Sequence, residues 1–282
     1  MKLRNMRALS SLAVIFFLSG CAIHQELIMT PQAKMAVDES QLNWFGADIK
    51  TLPVYDNPKA LAEIAHELCT RSAPFGQKVY ALRLAEQANT EDKNNKFIAT
   101  TLSRVAFFVA DSIDNDEDKV KKSAEIGVKA ARSVGLTEEN PEACFFFALN
   151  QGLIVQSKGL FALNKLPEIH NALKIAQKAE SLDFGGPLRV LGMMYLKAPA
   201  WPSGIGDLDK ALELFEQAVA KYPVHPQNFM FYAQALIEDD NKEKALQNLD
   251  IAYRLAVPEI WGLYYSKKWR AEIDALRKKL EK

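Results

Sequence analysis

The sequence predicts an all-α fold: a right-handed α-solenoid of stacked helical hairpins, ended by a C-terminal capping helix. Three observations predict it. From residue 58 onward, apolar residues recur at three- and four-residue steps, with no sustained two-residue alternation. One small-residue pattern returns along the chain: an alanine, an apolar residue four on, and an alanine three further on. The last amphipathic stretch, 266–281, carries Lys267, Lys268, Arg277 and Lys278, the polar outer face that a terminal repeat needs.

Helices are expected near 58–72 and 77–89, 95–111 and 117–134, 141–162 and 167–181, 187–197 and 207–221, and 226–238 and 241–256. The alanine pattern falls in the second helix of each pair. It reads Ala81-Ala85-Ala88, Ala124-Val128-Ala131, Ala172-Ala176-Ala179, Ala211-Phe215-Ala218 and Ala245-Leu249-Ala252. Steps between the first alanines are 43, 48, 39 and 34 residues. Antiparallel helices approach closely where small residues face each other, and the larger residue one turn on fills the gap to the next hairpin. A closed bundle has no reason to repeat one such contact in every pair. Leu188, Leu191, Gly192 and Tyr195, followed by Ala211, Phe215, Ala218 and Pro223, resemble the two halves of a tetratricopeptide repeat, whose period is about 34 residues.

One hairpin breaks the spacing. In an unmodified repeat, the aromatic of the first helix and the first alanine of the second stand nine residues apart; from Tyr195 to Ala211 the distance is sixteen. Pro199, Trp201 and Pro202 stiffen the insertion, Gly204 and Gly206 let it turn, and Asp207 is placed to cap the next helix. Two readings stand: a long turn tidied by proline and glycine, or a lip over the solenoid groove on which Trp201 offers a rigid apolar face.

The N-terminus reads as a targeting segment. Lys2, Arg4 and Arg7 precede an uncharged apolar run from Leu12 to Leu18, and Leu18-Ser19-Gly20-Cys21 follows. This resembles a bacterial lipobox. It implies a signal peptide over 1–20, diacylglycerol on the Cys21 sulfur, a tether over 21–57 and a helical domain over 58–282. Ala22 in place of Asp implies, for a source with two membranes, the outer membrane with the body facing the periplasm. With one membrane, the resemblance implies a cell-surface lipoprotein.

Residues 21–282 hold 32 basic and 35 acidic side chains. With no basic stripe or excess, a nucleic-acid partner is not expected. Neither a metal nor a cofactor is expected. His66-Glu67-Leu68-Cys69 opens like a zinc-protease helix, but Thr70 stands where the second histidine is required. Asp114-Asn115-Asp116-Glu117-Asp118 lacks the glycine and distal glutamate of a calcium loop. Gly204-Ile205-Gly206-Asp207 is too short for a nucleotide fingerprint, His24 lies in the tether, and no nucleophile elbow occurs. An enzyme is therefore not expected. Cys69 and Cys144 are left to pair or to pack as small hydrophobes.

Two aromatic groups ask for a place. Phe145-Phe146-Phe147 point three ways from one helix, with Asn150 and Gln151 a turn later. Core packing and a mixed apolar–polar cleft wall both account for them. Trp261, Tyr264, Tyr265 and Trp269 are expected to seal the last hairpin, or else to face a partner.

Asn140-Pro141-Glu142-Ala143, the three phenylalanines, Asn150-Gln151-Gly152, Leu166-Pro167-Glu168-Ile169, Ala179-Glu180-Ser181-Leu182-Asp183, Gly186 to Tyr195, and Gly206-Asp207 with Lys210-Ala211 carry a further resemblance. Over about 140–255, together with the lipobox, the chain resembles the T component of tripartite ATP-independent periplasmic (TRAP) transporters. Those proteins are lipoproteins built from degenerate tetratricopeptide-like helices. The Ala200-Trp201-Pro202 insertion departs from their pattern. The resemblance implies an accessory role in solute uptake, a small, partly apolar ligand in a pore or cleft, a periplasmic solute-binding protein as partner, homo-oligomerisation, and no catalytic residue; the ligand expected is a small apolar molecule or carboxylate. Candidate ligand or partner residues are Trp201, Tyr195, Asn150, Gln151 and Phe146. The rival reading is a scaffold that docks proteins during envelope or secretion-complex assembly.

Overall fold

The computed structural model describes residues 57–158, 164–199 and 204–281. The expected signal peptide, Cys21, His24, almost all of the 21–57 tether and Trp201 lie outside the described residues, as does the end of the helix expected over 141–162.

The described residues form eleven α-helices. They are α1 (Pro58–Leu68), α2 (Phe75–Glu91), α3 (Lys96–Asp111), α4 (Glu117–Ser133), α5 (Pro141–Lys158), α6 (Leu166–Ala176), α7 (Gly186–Lys197), α8 (Leu208–Lys221), α9 (Pro226–Glu238), α10 (Lys242–Leu255) and α11 (Pro258–Leu280). Sequential helices pack as hairpins. First helices of neighbouring hairpins also touch, α1 with α3, α3 with α5, α7 with α9 and α9 with α11. This is an all-α helical-repeat solenoid.

Local chemistry starts most of these helices. Asn57 accepts from the Lys59 and Ala60 amides ahead of Pro58, Asn95 caps α3, Asp116 caps α4 and Asn241 caps α10. The recurring alanines face inward: Ala81, Ala85, Ala88, Ala124, Ala131, Ala176, Ala211, Ala218, Ala245 and Ala252 are all 0% exposed. Val128 and Ala179 are half-buried, so the contact is looser in the second and third pairs.

Three boundaries differ from expectation. α1 stops at Leu68 rather than near 72: Cys69 leaves the helical region with ψ 74°, and Pro74 caps the start of the next helix. α6 ends at Ala176 and tightens into a 3₁₀ turn over Gln177–Ala179. The largest difference is α11, expected from 266 and observed from Pro258. Gly262 breaks its periodicity with φ 77° and ψ 159°, a conformation natural only to glycine. A Cβ there would stand 2.9 Å from both Cα and O of Ser72 in the α1–α2 turn. The capping helix thus does more than end the stack: Trp261, Tyr265, Trp269 and Ile273 join Phe215, Met230 and Leu249 in one core cluster.

Cys69 and Cys144 are both free and buried, and burial pushes each thiol up to about 11. No helix among the described residues is long and apolar enough to cross a membrane.

Phe145, Phe146 and Phe147 are all buried, so α5 packs on every side. Its most extensive helix contact is with α4. A Cβ on Gly127 would overlap the side-chain amide of Asn150, whose Nδ2 donates to the Ser103 and Phe146 carbonyls at 3.0 and 2.8 Å. Gly127→Ala is therefore expected to lower stability by about 1–3 kcal/mol, although alanine favours the helix, because the displaced amide loses buried partners. Urea denaturation measures the change; a stabilised variant would contradict this packing.

Candidate functional site

Side chains remote in sequence meet where the α1–α2 turn faces α7 and α11. The Asp183 carboxylate accepts from Arg71 Nη2 at 2.7 Å and from Arg189 Nη2. Arg189 also donates to Asn228 Oδ1 at 2.7 Å, and Asn228 donates to the Tyr222 and Phe184 carbonyls. Burial alone would raise the Asp183 carboxyl. Arg71, then Arg189 and His225, more than offset it and hold the group well below the usual carboxylate range.

The backbone is strained locally by this placement. Asp183 and Phe184 have φ of 48° and 52°, left-handed values that cost non-glycine residues about 1–2 kcal/mol each. Gly185 follows at 85°. The charge pair holds a loop that would otherwise relax.

Arg71 is the hub. Its guanidinium lies 5.0, 5.1 and 5.7 Å from the ring centres of Tyr265, Phe108 and Trp269. A second carboxylate, Asp111, stands 3.7 Å away and accepts from the Tyr265 hydroxyl at 2.8 Å. Lys268 reaches the same carboxylate at 3.3 Å. Lys78, 2% exposed, donates to the Arg71 carbonyl and to Ser112 Oγ, both at 3.0 Å. Burial, aided by Arg71 and Lys268 against Cys69 and Asp111, lowers its ammonium to about 8.

A cavity of about 750 Å³ opens beside this network, between the α1–α2 turn, the end of α3 and the start of α11. Arg71, Lys78, Lys267 and Lys268 line it together with Phe75, Trp261, Leu263 and Tyr264. Asp114 is its one lining carboxylate among the described residues. A smaller cavity of about 360 Å³ shares Lys268 but is lined by Asp111, Asp116 and Glu117. The two spaces therefore differ in sign of charge. No group of histidine, cysteine and carboxylate side chains able to hold a metal occurs among the described residues.

Of the residues singled out in the sequence, Trp261 and Tyr264 line this cavity and Tyr265 and Trp269 flank Arg71, whereas the candidate ligand residues lie elsewhere. Phe146 is buried among Phe107, Phe108 and Phe145, and Asn150 is 0% exposed in its carbonyl bonds. Gln151 is buried beside it. Tyr195 is half-buried on α7, its hydroxyl 2.9 Å from His170 Nε2 and its ring beneath the Lys210 ammonium. Phe146 and Asn150 thus meet on one helix, and none of these four lines either cavity. The insertion is stitched at its base: Gly206 N donates to Pro199 O at 2.8 Å and Asp207 N to Tyr195 O at 3.0 Å. A Cβ on Gly204 would overlap the Pro199 carbonyl, and one on Gly206 the Ala198 carbonyl. Asp207 caps α8 through the Lys210 amide at 3.1 Å. Sequence reading missed Arg71, Lys78, Asp111 and Asp183. Arg71 and Asp183 are 112 positions apart, and a lone arginine in a turn leaves no periodic signal.

Arg71→Met is expected to cost about 3–5 kcal/mol, because it leaves Asp183 and Asp111 buried with fewer counter-charges. Chemical denaturation reads that loss. A pH dependence follows from two histidines held neutral. Burial, then Arg104, lowers His66 to about 4; burial, then Arg189, holds His225 well below its ordinary 6.5. As pH falls from 6.5 toward 4, the unfolded chain takes up protons that the fold refuses, so stability declines through that window. The urea midpoint should be lower at the acid end than at neutral pH; a flat profile would contradict these environments.

No protein-family model matches the sequence, and no curated protein matches it. Among solved structures, a thermophilic TPR protein of Thermus thermophilus superposes with a TM-score of 0.52 at 14% identity, covering 78% of this chain and 98% of that one. What the two share is the fold: this chain is built as a tetratricopeptide-like helical repeat.

Proposed function

We propose that the protein is a lipid-anchored, non-enzymatic binding component of TRAP-type solute uptake, acylated at Cys21 and facing the periplasm. Three features support the reading: the lipobox, the motif order over 140–255, and a helical-repeat frame with a ligand-sized cavity. The single observation that carries it is that cavity of about 750 Å³, within the usual range for small-molecule sites. Around it, α11 packs against the first hairpins instead of leaving their inner face open. A compact site suits a small solute better than it suits a long peptide. The frame holds its charges against one another, and we read its work as binding.

The docking scaffold is the second reading. It is favoured by the exposed side chains of Ile260 and Leu263, 62% and 74% accessible at the start of α11.

The test is isolation of the full-length protein from membranes of its source, with Cys21→Ser in parallel. Mass analysis of the wild type should find fatty acyl groups on the processed N-terminus, and the variant should lose them along with membrane association. A periplasmic solute-binding protein should co-purify and should be absent when Leu263→Glu is used as bait. Recovery of an unacylated chain would overturn the anchor. Recovery of secretion or envelope-assembly proteins in place of a solute-binding subunit would overturn the uptake role in favour of the scaffold.

A further inference from the structure

We infer that the cavity between the α1–α2 turn and α11 is a binding site for a small monocarboxylate with an apolar body. This deepens the ligand-binding reading above and rests on it.

The charge count of the wall leads to the inference. Arg71 is paired with Asp183 and Asp111, and Lys268 shares Asp111. Asp114 is occupied by the Tyr264 hydroxyl at 2.9 Å. Two lining cations, Lys78 and Lys267, form no direct ion pair among the described residues. Lys267 is exposed at the rim, whereas Lys78 is 2% exposed at the wall. The Lys78 ammonium has a carbonyl, a hydroxyl and the Tyr265 ring face at 4.8 Å as neighbours, all neutral acceptors. A buried cation whose direct contacts are all dipoles, and which shares the pull of Asp111 with Arg71 and Lys268, gains from an arriving anion part of what it lost on leaving water.

The apolar half of the wall sets the rest of the ligand. Phe75, Trp261 and Leu263 face the same space, and Leu263 is 74% exposed. An acid with an aryl or short acyl body would place its carboxylate at Lys78 and Lys267 and cover Leu263. A single negative charge fits better than two, because Asp114 and Asp111 stand close by and would repel a second. The neighbouring cavity, walled by Asp111, Asp116 and Glu117, is the wrong sign for the same group.

Calorimetric titration of the full-length protein with hydrocinnamate tests the site, with hydrocinnamyl alcohol and acetate as its uncharged and body-less counterparts. Hydrocinnamate should bind saturably, and each counterpart about tenfold or more weakly. Lys78→Met should weaken hydrocinnamate about tenfold. Lys267→Glu, an exposed change that spares the fold, should weaken it about threefold, as should Leu263→Glu at the mouth. Absence of saturable binding, equal affinity for the alcohol, or indifference to both rim variants would overturn the site. Saturable binding by a protein that captures no solute-binding subunit would overturn the uptake role and leave this site standing; capture without binding would do the reverse.

Discussion

A buried guanidinium holds this structure together. Arg71 sits in the first inter-helix turn, yet its neighbours come from α3, from the α6–α7 loop and from α11. Three aromatic faces surround it and two carboxylates neutralise it. A lysine could not substitute, because one point charge cannot stack on rings and bridge two carboxylates at once. Burying such a group is costly, and the cost is bearable only because each partner is itself fixed. Tyr265 bonds Asp111, Asn228 holds Arg189, and Arg189 holds Asp183. The left-handed backbone at Asp183 and Phe184 is tolerated for the same reason. Packing of alanines builds the hairpins; this charge cluster fixes how distant hairpins meet.

The candidate cavity follows from that arrangement. Its floor is the rim of the cluster, so the charges facing the space were placed by folding rather than by the cavity itself. The ammonium of Lys78 is left without an ion pair of its own because Arg71, Lys78 and Lys268 share Asp111. Helices carry Lys78, Lys267 and Lys268 at the wall, and its two carboxylates fix Arg71 in its turn, which is what a small site needs to be pre-organised.

The repeat was legible in the sequence because its determinant is local. An alanine triplet at helical spacing requires no knowledge of the rest of the chain, and Ala81, Ala211 and Ala245 lie where such spacing puts them, fully buried. Caps were legible for the same reason, Asp207 among them. The cluster was not legible. Its members come from turns and helix ends, where neither period nor composition marks them, and their pairing spans most of the chain. Asn150 stood out as a polar residue in an apolar helix. Its partners, Gly127 and the Ser103 carbonyl, lie on helices that only the folded chain brings together. The start of α11 was obscured by Gly262, whose left-handed turn interrupts the helical pattern that reveals the remainder.

That glycine has a consequence for how the repeat array behaves as a whole. A linear stack of hairpins can fray from either end, since each unit leans only on its neighbours. Here Gly262 lets the last helix lie against Ser72, and Tyr265 reaches Asp111, so the last described helix is seated on the first two described hairpins. Neither end of the described array can peel away without unseating the other. Loss or duplication of an internal hairpin would pull these two seats apart, so the number of repeats is set by closure and is not free to drift as it is in open arrays.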